Sequence, residues 1–353
     1  MVTIASCVPR QEVTIEAKLQ WLGEALDKTP CDLFLLPQEY IGGHYVHHNL
    51  SGGQMPLHVR RPWLEETFGA VARERGVALG VGACITDDDD PDRGTEDYLY
   101  FDKDGSVAGH HRKFALPRYD DARARGAGRV WPETVWRDRV TPVELPALGL
   151  RIGTVFCWEI FALTVVPAYA LARTNLIVHP VKFAPRGWLV TKEIDGEQHV
   201  VGFKQAPKSE EWTARLKMLG RHESLCPIAI SCNTWSIGEK FMAITGHVDE
   251  MLGTTNIIEV GSDPKADRIH AFTMNPAYYL LGTENTFSPG AFKETTGSLD
   301  GLNELRPLTM HVKMRRLESY LLNDITRLET AMKTQALRTK PSVHKRAAAR
   351  GLK

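Results

Sequence analysis

Residues 148–159 read LGLRIGTVFCWE, and their reading decides how the rest of the chain is understood. Ile152 to Phe156 is a run of strand-forming residues, and IFALTVVPAYALART at 160–174 carries a helical pattern interrupted at Pro167. A strand that leads straight into a helix is the building unit of α/β proteins. It leaves Cys157 at the junction, where a side chain can project above the sheet edge beside free backbone N–H groups.

The same alternation extends in both directions. Downstream, NLIVHPV (175–181) reads as a strand, EWTARLKMLGRHESL (211–225) as a helix and PIAISCNT (227–234) as a strand. Upstream, VTIASCV (2–8) is a strand, and IEAKLQWLGEALDK (15–28) is a helix with Ile15, Leu19, Leu22 and Leu26 on one stripe. CDLFLLPQ (31–38) is a strand punctuated by Pro37, WLEETFGAVARERG (63–76) a helix stopped by Gly76, and VALGVGACI (77–85) a strand. YLYFDKDGSVAGHHRKF (98–114) reads as a hairpin turning at Asp104-Gly105, which implies mixed rather than purely parallel sheets. DDDDPDRG (87–94) reads as a solvated loop and RYDDARARGAGRVWPE (118–133) as a charged insertion.

From about residue 282 the pattern changes. Leu317, Leu321, Ile325, Leu328 and Met332 line one stripe of a long helix, which either docks on its own domain or forms a subunit interface. The expected division is a domain over 1–281, an extension over 282–338 and a basic, disordered tail over 339–353.

Composition narrows the function. The 353 residues contain 43 Lys and Arg against 43 Asp and Glu, so no global field draws the protein to nucleic acid or to a membrane surface. No apolar stretch reaches the roughly 18 residues that span a bilayer. The N-terminus lacks the signature of a secretory signal. The six cysteines are scattered without CxxC pairs, against both a disulfide framework and a thiolate zinc site, and a reducing cytoplasm is the expected compartment.

Three residues invite a chemical reading. Cys157 is one; holding its thiol fully anionic at neutral pH costs about 2 kcal/mol, which a nearby cation or helix N-terminus offsets. Lys113, at the end of the hairpin strand, is a candidate fixed cation. Glu39, directly after an apolar strand, is a candidate general base raised by desolvation. Taken singly, each also has an ordinary reading: a buried structural thiol, a snorkelling lysine and a turn-capping carboxylate.

Together, a Glu, a Lys and a Cys at three strand ends, in that chain order, resemble the nitrilase superfamily of carbon–nitrogen hydrolases. DLFLLPQEYIGG (32–43) looks like that family's Glu segment, HHRKFALP (110–117) its Lys segment and LGLRIGTVFCWE its nucleophile segment. Weaker likeness continues through ARTNLIVHP (172–180) and GRHESLCPIAISCNT (220–234). The resemblance implies an αββα sandwich whose subunits pair into a homodimer or larger homo-oligomer. It implies Cys157 as nucleophile, Glu39 as general base and acid, and Lys113 as the cation at the tetrahedral intermediate. Glu133, in PETVW, is the expected second carboxylate, orienting Lys113 and the substrate. Neither a metal nor an organic cofactor is implied.

Two departures stand out. Gln38 separates Pro37 from Glu39, and alignment on Ile41-Gly42-Gly43 would put Gln38 at the base position. Glutamine cannot accept the proton, so Glu39 is the expected base. The stretch from Lys113 to Glu133 is long, as if the insertion rimmed the pocket. Cys157-Trp158-Glu159 resembles the nitrilase branch, with Trp158 and Glu159 as expected substrate-binding residues. The expected substrate is a small nitrile converted to acid and ammonia. Amide or N-carbamoyl hydrolysis is the alternative, and a non-catalytic binding module the rival from another class.

Overall fold

Strand β2 (Leu33–Leu35) shows how the layers arise. Side chains alternate across a pleated strand, and here both faces are apolar. Leu33 and Leu35 enter one core cluster, while Phe34 and Leu36 enter another. Such a strand belongs in the middle of a layered structure. The computed structural model describes residues 1–10, 12–42, 56, 58–86, 94–113, 140–161, 165–183, 187–194, 197–205, 209–222, 224, 226–234, 243–249, 253–260 and 267–280.

The first sheet is built from β1 (Val2–Val8), β2, β3 (Ala78–Thr86), β4 (Gly94–Phe101), β5 (Val107–Arg112) and β14 (Arg268–Met274), in the order β14-β1-β2-β3-β4-β5. The second is built from β6 (Val143–Leu145), β7 (Leu150–Thr154), β8 (Leu176–Phe183), β11 (Ile228–Thr234), β12 (Ala243–Val248) and β13 (Asn256–Val260), in the order β13-β12-β11-β8-β7-β6. Each sheet has a parallel centre, β1-β2-β3 in one and β7-β8-β11 in the other. Antiparallel strands flank both centres. A separate two-stranded sheet pairs β9 (Gly187–Ile194) with β10 (Glu197–Gln205).

Helices cover the outer faces. Helix α1 (Ile15–Lys28) starts at Thr14, whose hydroxyl accepts from the Ala17 N–H, and α2 (Arg61–Arg75) ends at Gly76 in the left-handed conformation. Trp21, Leu22, Leu64 and Phe68 pack with Phe34, Leu79 and Leu99 of the first sheet. On the far side, α3 (Val165–Leu171) and α4 (Ser209–His222) place Val166, Tyr169, Trp212 and Leu216 in the core shared with the second sheet. Each such buried side chain contributes roughly 1.5–3 kcal/mol. The result is the expected αββα sandwich. The two sheets are also tied by polar contacts: Ser231 Oγ donates to the carbonyls of Cys7 and Leu35, both at 2.9 Å, and the Tyr100 and Thr154 hydroxyls lie 2.6 Å apart.

Several elements differ from the sequence reading. The strand expected over 31–38 is paired only at Leu33–Leu35, because the chain leaves the sheet at Leu36. The strand-forming run expected as far as Phe156 is paired only to Thr154, and Cys157–Phe161 is a 3₁₀ turn. Pro167 does not break a long helix; it lies in the first turn of α3, where its missing N–H has no partner to lose. The β9–β10 hairpin was signalled by Asp195-Gly196 between two strand-like runs and not read as such. The expected stripe at 317–332, and all of 282–353, lies outside the described residues. Among the described residues no helix is long and apolar enough to cross a membrane.

Candidate active site

The chain leaves the first sheet after β2 and rejoins it at Ile41, which bridges to Ala83. Leu36 N–H donates to the Gly80 carbonyl and Ile41 N–H to that of Gly82, so residues 37–40 bulge out between two anchored points. Gly82 permits this: a Cβ there would sit 2.3 Å from the Pro37 carbonyl oxygen and 2.8 Å from the Gln38 Cα. Within the bulge Glu39 adopts a φ of 50°, a conformation that L-residues seldom take without support from outside. That support comes from three directions. Asn233, on β11, donates its amide to the carbonyls of Gln38 and Glu39 at 3.3 and 3.0 Å. Lys18, on α1, donates to the Tyr40 carbonyl at 2.7 Å. Lys182, on β8, donates to Glu39 Oε2 at 2.6 Å.

Because β2 has ended, the alternation of side chains no longer applies, and Gln38 and Glu39 are both 2% exposed. They point to different partners. Glu39 meets Lys182, whereas the Gln38 amide N–H meets the carboxylate of Glu96 on β4. Lys113, directly after β5 and 4% exposed, donates to the same Glu96 oxygen at 2.8 Å. The hairpin register brings this pair together, for the Lys113 N–H also bonds the Glu96 carbonyl at 2.9 Å.

The second strained point lies opposite. Beyond β7, Val155 N–H bonds the Val178 carbonyl, and the chain then turns sharply at Cys157 with a φ of 33°. Local groups brace this elbow. Glu159, fully buried, takes the Phe156 N–H at 2.8 Å and lies 3.2 Å from His111 Nε2, while Tyr169 hydroxyl meets His111 Nδ1 at 3.2 Å. His179 Nδ1 lies 2.6 Å from the Val155 carbonyl, and its Nε2 accepts from the Trp212 indole at 3.1 Å. Those partners require the neutral Nδ1–H tautomer. Burial drives the His179 pKa down to about 4. The Cys157 thiol donates to the Lys182 carbonyl at 3.6 Å. Lys182 therefore touches both strained points, the carboxylate through its ammonium and the thiol through its backbone.

Among the described residues, the carboxylates Glu39 and Glu96 are paired with the ammonium groups of Lys182 and Lys113, and the Lys18 ammonium also feels Glu39. Breaking one such buried pair by removing a partner costs about 3–5 kcal/mol. The charges of both pairs act on the Cys84 thiol, which lies beside Glu96 on β3. Burial is the main cause that holds Cys84 far above the usual thiol range; the two carboxylates add to it and the two lysines oppose it. Burial also pushes Cys31 and Cys226 up to about 12 and Cys7 higher still. A thiol held protonated in this way is a poor nucleophile.

A strand-to-elbow cysteine, a carboxylate and a lysine thus converge where two mixed sheets meet. The sequence model of the carbon–nitrogen hydrolases matches residues 3–226. The chain belongs to this family. No curated protein matches it. In fold this carbon–nitrogen hydrolase is similar to the NitN amidase from Nesterenkonia sp. AN1, with a TM-score of 0.56 and 14% identity over 79% of this chain and 95% of that one. It is likewise similar to a carbon–nitrogen hydrolase from Helicobacter pylori G27, with a TM-score of 0.55 and 14% identity over 83% and 97% of the two chains. The C. elegans NitFhit protein gives a TM-score of 0.54 and 15% identity over 84% of this chain and 63% of that one.

Of the site residues expected from sequence, the fold of this hydrolase brings Glu39, Lys113 and Cys157 into one linked network. Glu159 is placed beneath the elbow rather than facing outward, its carboxylate occupied by the Phe156 N–H and His111. Glu133 and the side chain of Trp158 lie outside the described residues. Sequence reasoning missed Glu96, Lys182 and Asn233. Glu96 was within reach, since pairing back from the Asp104-Gly105 turn sets it across from Lys113. Lys182 and Asn233 carry no local signal; they share a register position on β8 and β11, and only the approach of the two sheets makes them neighbours of Glu39.

Proposed function

We propose that this carbon–nitrogen hydrolase cleaves small nitriles or carboxamides with Cys157 as nucleophile, Glu39 as proton carrier and Lys113 as the cation that receives developing charge. One observation carries the reading: Glu39 and Cys157 meet on the same residue, Lys182, with Lys113 joined to them through Gln38 and Glu96. Glu39 takes the thiol proton and the sulfur bonds to the electrophilic carbon. From a carboxamide the result is a tetrahedral oxyanion, held by Lys113 and the backbone N–H of Trp158. The carbon–nitrogen bond then breaks as Glu39 returns its proton to the leaving nitrogen, releasing ammonia and a thioester. Water gives a proton to Glu39 and its oxygen to the acyl carbon, and the departing sulfur recovers the proton as the acid leaves.

A nitrile enters the same route one stage earlier, as a thioimidate that water must hydrate before ammonia departs. The run Cys157-Trp158-Glu159 favours this substrate, and the described fold is compatible with either. The Nesterenkonia amidase offers a chemical precedent, since variants of it bind acrylamide or carry it on the active-site cysteine. Ammonia release from a panel of nitriles, carboxamides and carbamoyl compounds tests the proposal. Turnover by the wild type and none by Cys157→Ala is expected. Activity that survives in Cys157→Ala would defeat the mechanism.

A further inference from the structure

Glu96 lies at the centre of the polar network, although nothing in the family reading pointed to it. Its Oε2 receives the Lys113 ammonium at 2.8 Å and the Gln38 amide N–H as well. Both partners are almost wholly enclosed. The contact with a carboxylate fixes which way the Gln38 amide faces, because reversing it would set oxygen against oxygen. With the N–H turned to Glu96, Gln38 Oε1 points elsewhere, and this buried oxygen has no hydrogen-bond partner among the described residues. Buried amide oxygens are almost always paired. This one, in the residue next to Glu39 and on a side chain held by the carboxylate that holds Lys113, has its accepting capacity unused.

We propose that Glu96 is a positioning residue of this site: it anchors Lys113 and turns the Gln38 amide so that Oε1 accepts an N–H of the substrate. The idea rests on hydrolysis at Cys157 and adds to it. A carboxamide or carbamoyl group brings the required N–H in its ground state, whereas a nitrile nitrogen bears none until sulfur has added. Gln38 thereby becomes a specificity residue, and the glutamine standing where a carboxylate was expected gains a use. A carboxylate facing Lys113 thus comes from β4, across the hairpin.

Steady-state kinetics of the full chain on a carboxamide panel tests this, with Glu96→Gln, Gln38→Met and the exchange variant Gln38→Glu/Glu96→Gln, each checked by thermal melting. Glu96→Gln should lower kcat about 100-fold, the scale of a misplaced catalytic group, and raise KM for carboxamides by up to the factor seen in Gln38→Met. The exchange variant returns a carboxylate to the contact between positions 38 and 96, next to Lys113's partner, and should recover about tenfold of that loss. Gln38→Met should raise KM for carboxamides about tenfold, the worth of one hydrogen bond. If Glu96→Gln does not fold, Glu96→Asp replaces it, with a fall in kcat and a rise in KM in the same directions expected. Wild-type kcat in the folded Glu96 variant, an exchange variant no better than Glu96→Gln, or an unchanged KM in Gln38→Met would overturn the proposal. Those results, with Cys157→Ala inactive, leave the hydrolase reading standing; activity in Cys157→Ala would sink that reading instead.

Discussion

The bulge at residues 37–40 and the elbow at residues 155–161 face each other across the two sheets, and each bends at a non-glycine residue with positive φ. They are held in opposite ways. The elbow is braced largely from nearby in its own layer: Glu159 reaches back to the Phe156 N–H three residues earlier, and His179 on the adjacent strand β8 holds the Val155 carbonyl. The bulge is braced from afar, by Asn233, Lys182 and Lys18 from three different elements. Local bracing lets the position of Cys157 survive changes elsewhere. Remote bracing makes the carboxylate report on how well the sheets are docked.

The largest test of that contrast removes the Cys157 thiol, the proposed nucleophile. Cys157→Ala should reduce turnover by about 10⁴-fold or more, and its melting temperature should match the wild type, because the elbow's braces do not involve the sulfur. A large loss of stability would show that the sulfur's contact with the Lys182 carbonyl ties the layers. Next comes Asn233→Leu, which strips two donors from the bulge; kcat should fall about 100-fold through misplacement of Glu39, with unfolding in urea showing a loss of about 1–3 kcal/mol. If activity is retained, the bulge holds itself and the comparison fails. Glu159→Ala should reverse the balance, costing about 2–3 kcal/mol in stability through the unpaired Phe156 N–H and His111.

Acid sharpens the same contrast at a smaller scale. The unfolded chain protonates His179 near pH 6.5, while the folded protein does so only near 4. Between those values the unfolded state holds more protons, so stability falls as the pH is lowered from 6.5 towards 4. Protonation also turns His179 Nε2 into a donor facing the Trp212 indole N–H, which should loosen the elbow before the bulge. Trp212 fluorescence across this window, set against urea midpoints, checks both points; a midpoint independent of pH from 7 to 4.5 would contradict them. The smallest effect concerns Lys18, whose pKa burial lowers to about 8 against an unfolded value of 10.5. Here stability rises with pH from about 8 to 10.5, as the unfavourable buried charge disappears, and the gain should be absent in Lys18→Met.

The elbow was legible in the sequence because its information is local. A strand-forming run, a cysteine and a following carboxylate within eight residues describe it almost fully. The helices α1 and α2 were legible for the same reason, from apolar stripes and a terminal glycine. The bulge was half legible. Pro37 and the two glycines marked an irregularity, but strand alternation could not say where Gln38 and Glu39 would point once the strand had ended. Both turned inward, to different partners, because Glu39 is itself left-handed and redirects the backbone within the bulge.

What the amino-acid order settled alone was part of the succession of strands and helices, the family, and the three residue types offered for chemistry, since these depend on short-range pattern and on side-chain identity. The tertiary structure decided the rest: that Lys182 links sulfur and carboxylate, that Glu96 meets Lys113, and that Asn233 holds the bulge. Those contacts join residues from separate strands and opposing sheets. No periodicity in a linear chain encodes them, because their distances are set by how two twisted layers pack.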